Sequence, residues 1–262
     1  MSIAIRLHLA MTAAELGSQS PLPRHPAWMA CHFSPYSTGL TNLPLKLPKQ
    51  TLLILNDRTP IHGHDPERVC RELNDVLNRF QCPGLLVDFQ NKPCRESAEL
   101  VSYLAEHVQA PLALPPEFDR GKAVFLPPVP TDVRAEVYLQ AWAGREIWLE
   151  AALEGQDLSL TAEGISVCPN RRFQFDHVHE DTALHCHYSI LDTPEGFLFH
   201  TWRTPEDLAG LLAEAEGLGV RTGVGLYQEL GSWEAPVTSP SAPAPRPSST
   251  ANNPEAIPSA PG

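Results

Sequence analysis

Along the chain, short apolar runs alternate with longer stretches in which apolar residues recur at helical spacing. The runs cover 28–33, 51–55, 85–87, 112–114, 123–126, 147–149, 197–200 and 220–226. Near-continuous runs of this length suit parallel strands covered on both faces, because an antiparallel strand with one wet face alternates instead. Two of the intervening helices carry start and stop signals. Asp65 stands as an N-cap before Pro66, and Val69, Leu73, Val76, Leu77 and Phe80 share one face before Cys82-Pro83-Gly84 ends the helix. Thr204, Pro205 and Asp207 repeat the device ahead of Leu208, Leu211, Leu212 and Ala215, with Gly219 as the stop. Two further helices are predicted. One covers 96–108 on Leu100, Val101, Leu104 and Val108; the other runs from Thr131 to Gly144 on Val133, Val137, Tyr138 and Ala141.

Strand–helix–strand succession is clearest at 51–87, 85–114 and 197–226, which makes βα units. Eight runs predict a closed, TIM-like (β/α)8 barrel over 25–232, with helices missing after the first run and between Leu114 and Ala123. An open doubly wound sheet is the alternative. Residues 1–24 read as an N-terminal extension. Residues 153–190 read as a small polar β insertion, with alternation at Asp157-Leu158-Ser159-Leu160-Thr161 and from Leu184 to Ile190. From Trp233 the composition turns to Pro, Ser and Ala without apolar periodicity, so 233–262 read as a disordered tail. Such a tail can engage a partner protein in extended form.

Bulk properties narrow the partners. A formal net charge of −12 disfavours nucleic acid, which needs a basic stripe, and anionic lipid for the same reason. No run approaches the roughly 18 apolar residues of a membrane span. Arg6 and His8 interrupt the first apolar stretch, which therefore does not read as a secretory signal. Six cysteines, scattered singly, read as reduced thiols of a cytoplasmic protein.

The most suggestive chemistry lies in Gly84-Leu85-Leu86-Val87-Asp88-Phe89-Gln90. In a barrel, an acid just past a strand sits at the carboxyl rim, where such folds place their sites. This strand ending resembles a worn version of the acid-rich strand of chitinase-like family 18 glycoside hydrolases, D-x-x-D-x-D-x-E. Asp88 matches one of the aspartates, and Gln90 stands where that family has its proton-donating Glu. Counting the runs makes this the third strand, whereas the family carries the motif on its fourth. The resemblance implies a barrel binding a carbohydrate or other small polar ligand, with catalysis lost or altered, because a Gln cannot donate that proton.

Other rim candidates are Asn56-Asp57, Glu150 and Gln228-Glu229. Asp88 and Glu150 are the candidate catalytic carboxylates, since two facing acids can divide acid and base roles. Asp57, Gln90 and Glu229 join them as ligand-binding candidates, with Tyr188, Trp202 and Tyr227 as aromatics for stacking on a sugar. A separate cluster, Asp176-His177-Val178-His179 with His185-Cys186-His187, places two same-side histidine pairs on extended chain. If they converged, His177, His179, His185 and His187 would suit zinc and a metal-dependent hydrolase. A non-catalytic binding or scaffolding barrel is the third reading. The glycines at 217, 219, 223 and 225 enter a strand rather than open a helix, so they do not form a phosphate loop.

Overall fold

The computed structural model describes residues 5–153, 155–168 and 177–231. The Pro/Ser/Ala-rich tail, with the disorder and the partner expected of it, lies outside the described residues. In chain order the first elements are β1 (Arg6–Met11), α1 (Ala13–Ser18), β2 (Pro26–Phe33), β3 (Leu40–Thr41), β4 (Leu52–Asn56), α2 (Pro66–Phe80), β5 (Leu85–Asp88) and α3 (Arg95–His107). Then come β6 (Leu112–Leu114), a 3-10 turn (Pro116–Phe118), β7 (Ala123–Leu126), α4 (Ala135–Gln140) and β8 (Ile147–Ala151). Five strands follow: β9 (Gln156–Thr161), β10 (Gly164–Cys168), β11 (His179–Asp181), β12 (Cys186–Thr193) and β13 (Gly196–Trp202). The last elements are α5 (Pro205–Gly217), β14 (Thr222–Leu226) and α6 (Tyr227–Leu230).

Eight parallel strands close a barrel in the order β1-β2-β4-β5-β6-β7-β8-β14, and β1 pairs with β14 on one side and β2 on the other. That double pairing rules out the open doubly wound alternative. Helices are absent after β2 and after β6, as the sequence predicts. Two corrections accompany the expected barrel. Its first strand is Arg6–Met11, inside the stretch read as an N-terminal extension; Leu7 and Leu9 face the outer layer, so Arg6 and His8 mark the alternate positions rather than a break. The 197–200 run is not a barrel strand. It belongs to a separate antiparallel sheet, β10-β9-β13-β12-β11, which spans Gln156 to Trp202 and extends past the expected 153–190. One strand missed and one miscounted leave the total at eight, and the strand ending in Asp88 becomes the fourth.

Alternation around the ring sorts the core. Ala10, Ala27, Leu52, Ile54, Leu86, Ala113, Ala123, Phe125, Trp148 and Val224 fill the lumen. Leu85, Val87 and Phe89 face outward onto α2 and α3 with Val69, Leu73, Leu100 and Leu104. Leu86 and Asp88 therefore share one lumenal row, because successive strand residues point to opposite faces, and Gln90, two residues past the strand, turns its amide to Asp88. α2 is set by the Asp65 cap on the Glu67 N–H, and ends at Gln81 in the left-handed region (φ 53°).

Two polar joints hold the loops at the carboxyl end. The Asp57 carboxylate, 5% exposed, accepts the N–H groups of Gln90 and Asn91, both at 2.9 Å, and Asn91 Nδ2 donates back to the Asp57 carbonyl at 2.8 Å. The loop after β4 thereby fixes the loop after β5. Arg203, 4% exposed, donates to four main-chain carbonyls: Val129 (2.5 Å), Pro130 (3.2 Å), Leu184 (3.4 Å) and His185 (3.1 Å). It ties the inserted sheet to the loop after β7. Asp57→Ala should lower the free energy of unfolding by about 2–4 kcal/mol, the scale of two hydrogen bonds to a charged acceptor, as read by urea denaturation.

His8 gives a second stability prediction. It is 2% exposed on the lumenal side of β1, and its Nδ1 has no hydrogen-bond partner. Burial, with help from His25 and Arg6, depresses its pKa from 6.5 to about 4. The unfolded chain takes up this proton near 6.5 and the folded chain only near 4, so stability is full above 6.5 and falls as pH drops between the two values. The loss should approach about 3 kcal/mol below pH 4, and a His8→Leu variant should show a flatter stability profile across that window.

Candidate functional site

The carboxyl end of the barrel holds a cavity of about 390 Å³ lined by Met29, His32, Asn56, Asp57, Arg58, Asp88, Gln90 and Asn91. Its floor is a row across three neighbouring strands, since His32 pairs in register with Asn56 and Asn56 with Asp88. A bulge in β2 between Trp28 and Cys31 shifts the register by one residue and brings His32 into this row. Asn56 is held in one orientation: its Nδ2 donates to the Met29 carbonyl (3.0 Å) and its Oδ1 accepts from the Arg58 N–H (3.2 Å). The remaining contact, His32 Nδ1 to Asn56 Oδ1 at 2.7 Å, therefore requires the imidazole proton on Nδ1.

Asp88 is half-buried at the end of β5, with Gln90 Nε2 donating to its Oδ1 at 3.5 Å. Burial raises the pKa of its carboxyl group; the Gln90 amide opposes that shift and the Asp57 charge adds to it. Asp57 is at the same cavity, but both of its oxygens are engaged by the main chain of the next loop, which makes it first a clamp. Gln90 is exposed at the mouth.

The other candidates disperse. Glu150 lies on the lumenal side of β8, between outward-facing Leu149 and Ala151, and does not line the cavity of Asp88. It lies close enough to Tyr138 that its charge, after burial, raises the phenol pKa. Glu229 accepts the Leu153 N–H, joining α6 to the end of β8, and Tyr227 packs on the outer core. Tyr188 and Trp202 belong to the inserted sheet: Tyr188 stacks on His179 at 5.2 Å, and Trp202 on His187 at 5.9 Å.

The four histidines do not converge. His179 pairs opposite Tyr188, whereas His187 pairs opposite Glu180 and Trp202, so alternation puts His179 and His187 on opposite faces. His185 binds Glu214 (2.8 Å) and His187 binds Asp207 (2.7 Å), both on α5, while the His177 carbonyl accepts from Ser189. Among the described residues no group of three His, Cys, Asp or Glu side chains is arranged to hold a metal ion, and Asp176 lies outside them.

Sequence reading missed His32, Arg58 and Asn91. His32 sits in an apolar run whose lumenal face depends on the bulge, and Asn91 acts through a loop contact that leaves no periodic trace.

No protein-family model matches the chain, and no curated protein matches it. Solved structures do. A double mutant of the family 18 chitinase from Cycas revoluta, in complex with (GlcNAc)4, superposes with a TM-score of 0.51 at 10% identity, covering 84% of this chain and 94% of that one. The spore cortex-lytic enzyme SleL from Bacillus megaterium aligns at 0.49 and 10% identity, over 84% of this chain and 69% of that one. A chitinase-like agglutinin from Robinia pseudoacacia aligns at 0.49 and 10% identity, over 83% and 92%. The chain thus shares its (β/α)8 barrel with chitinase-like glycoside hydrolases, a distant likeness of fold.

Proposed function

We propose that this protein binds a carbohydrate in the Asp88 cavity and does not hydrolyse it by the two-carboxylate route. The observation that carries the reading is the lumenal row of the fourth strand, which ends in Asp88 with Gln90 two residues beyond it. The position that would deliver a proton to a glycosidic oxygen holds an amide, which has none to give at neutral pH. Around it, Asn56, Asn91, Gln90 and His32 offer donors and acceptors beside one apolar side chain, Met29. That is a lining suited to hydroxyl and amide groups of a sugar. Asp88 is the principal ligand contact, accepting a hydrogen bond from a sugar hydroxyl. Glu150, lumenal on β8 but outside the lining of this cavity, takes no part in the reading. A cytoplasmic location, supported by six free cysteines, belongs to the same proposal.

The test uses (GlcNAc)4, the ligand of the Cycas chitinase complex, together with neutral glucose oligomers. Calorimetry should record binding of at least one of them, with no release of reducing ends over the same period. Asp88→Asn should weaken that binding at least tenfold, about 1.4 kcal/mol, while leaving the melting temperature nearly unchanged. Lost stability with intact binding would make Asp88 a structural cap and end the ligand role. Reducing-end release by the unaltered chain would end the non-catalytic half of the proposal.

A further inference from the structure

The two edges of the inserted sheet are built differently. β11 is three residues long, His179-Glu180-Asp181, and carries two acids. Short, charged edges resist pairing with another strand. β10, Gly164-Ile165-Ser166-Val167-Cys168, has neither charge nor proline, and among the described residues it pairs with β9 alone. Its Ile165 and Val167 are 67% and 70% exposed. They belong to one face of the sheet with Leu158, Leu160 and Phe199, since Ile165 pairs with Leu160, Val167 with Leu158, and Leu158 with Phe199. An apolar strand whose second side is unpaired among the described residues, and which has no blocking device, is a template for a further strand.

We infer that β10 pairs with β10 of a second copy of the chain, joining the two five-stranded sheets into one. The register supports a self-complementary match. The turn between β9 and β10 has two residues, which makes Thr161 and Gly164 the closing hydrogen-bonded pair. Ile165 and Val167 then direct their N–H and C=O groups toward the open edge. An antiparallel partner related by a two-fold axis through Ser166 sets Ile165 opposite Val167 of the second copy, and each such pair exchanges two main-chain hydrogen bonds. Both side chains of each pair lie on the same face, so the apolar surface runs unbroken across the axis, with β-branched pairs of the kind that stabilise sheets. The contact is small, under about 1,200 Å² in total, which suits a reversible dimer rather than an obligate one.

The two-fold geometry makes a sharp test on the full chain. Ser166 faces its own copy in a non-hydrogen-bonded pair, where Cα atoms lie about 4.5 Å apart, inside the range a disulfide spans. In a Cys168→Ser background, Ser166→Cys should form an interchain disulfide on mild oxidation, located by peptide mapping to position 166 on both chains. Sedimentation velocity from about 1 to about 200 µM, the range where so small an interface dissociates, should show the average mass rising toward that of a dimer. Ile165→Lys with Val167→Lys sets like charges opposite one another and should keep the chain monomeric at every concentration, with an unchanged circular dichroism spectrum. A chain that stays monomeric throughout and gives no disulfide at 166 overturns the inference, as does a dimer that the lysine substitutions leave intact.

Discussion

The structure depends on one closure: β1 hydrogen-bonds to β14 on one side and to β2 on the other. A parallel ring without a free edge assigns every strand residue either to the lumen or to the helical layer, with no third choice. The assignment sends Leu86 and Asp88 up the inner wall, and Phe89, just past the strand, packs outward between Phe33 and Phe118, at 5.8 and 5.7 Å. It also carries His8 into the lumen as a neutral imidazole. Without the first strand the ring would open, and the row that ends at Asp88 would lose its inner face.

Much of this frame was legible in the sequence, and the exceptions have physical causes. The helices at 66–80 and 205–217 announced themselves through Asp65-Pro66 and Thr204-Pro205, because caps are local chemistry. β1 was not legible, since its alternation of Leu7 and Leu9 with Arg6 and His8 lacks the apolar continuity that marks the other parallel strands. The 197–200 run misled for the opposite reason: Phe197, Leu198 and Phe199 make a continuous run although the strand has two unlike faces, with Leu198 buried and Phe197 47% exposed. The site divides in the same way. Asp88 was readable as the first charge after an apolar strand, while His32 reached the cavity only through a bulge that no spacing encodes.

At the cavity, restraint and chemistry fall on different residues. Asp57 spends both oxygens on the main chain of the β5 loop, and Asn56 is oriented by three partners, so each supports the site through fixed geometry. Asp88, by contrast, keeps one amide contact at the limit of hydrogen-bonding distance, which is why the proposed function assigns the ligand to it. The proposed reading, carbohydrate binding without two-carboxylate hydrolysis, rests on that division and on the amide of Gln90 two residues past Asp88.

Arg203 has a consequence for how such an insertion can vary. The acceptors of its guanidinium are the carbonyls of Val129, Pro130, Leu184 and His185, and burial draws its pKa down without a carboxylate salt bridge in that set. Carbonyl groups belong to every residue, proline included. The joint is therefore indifferent to the side chains of the segments it grips and answers only to their path through space. Drift at those four positions leaves the attachment standing as long as the backbone trace survives, whereas the arginine itself has no substitute, since a lysine offers a point charge in place of a planar fork.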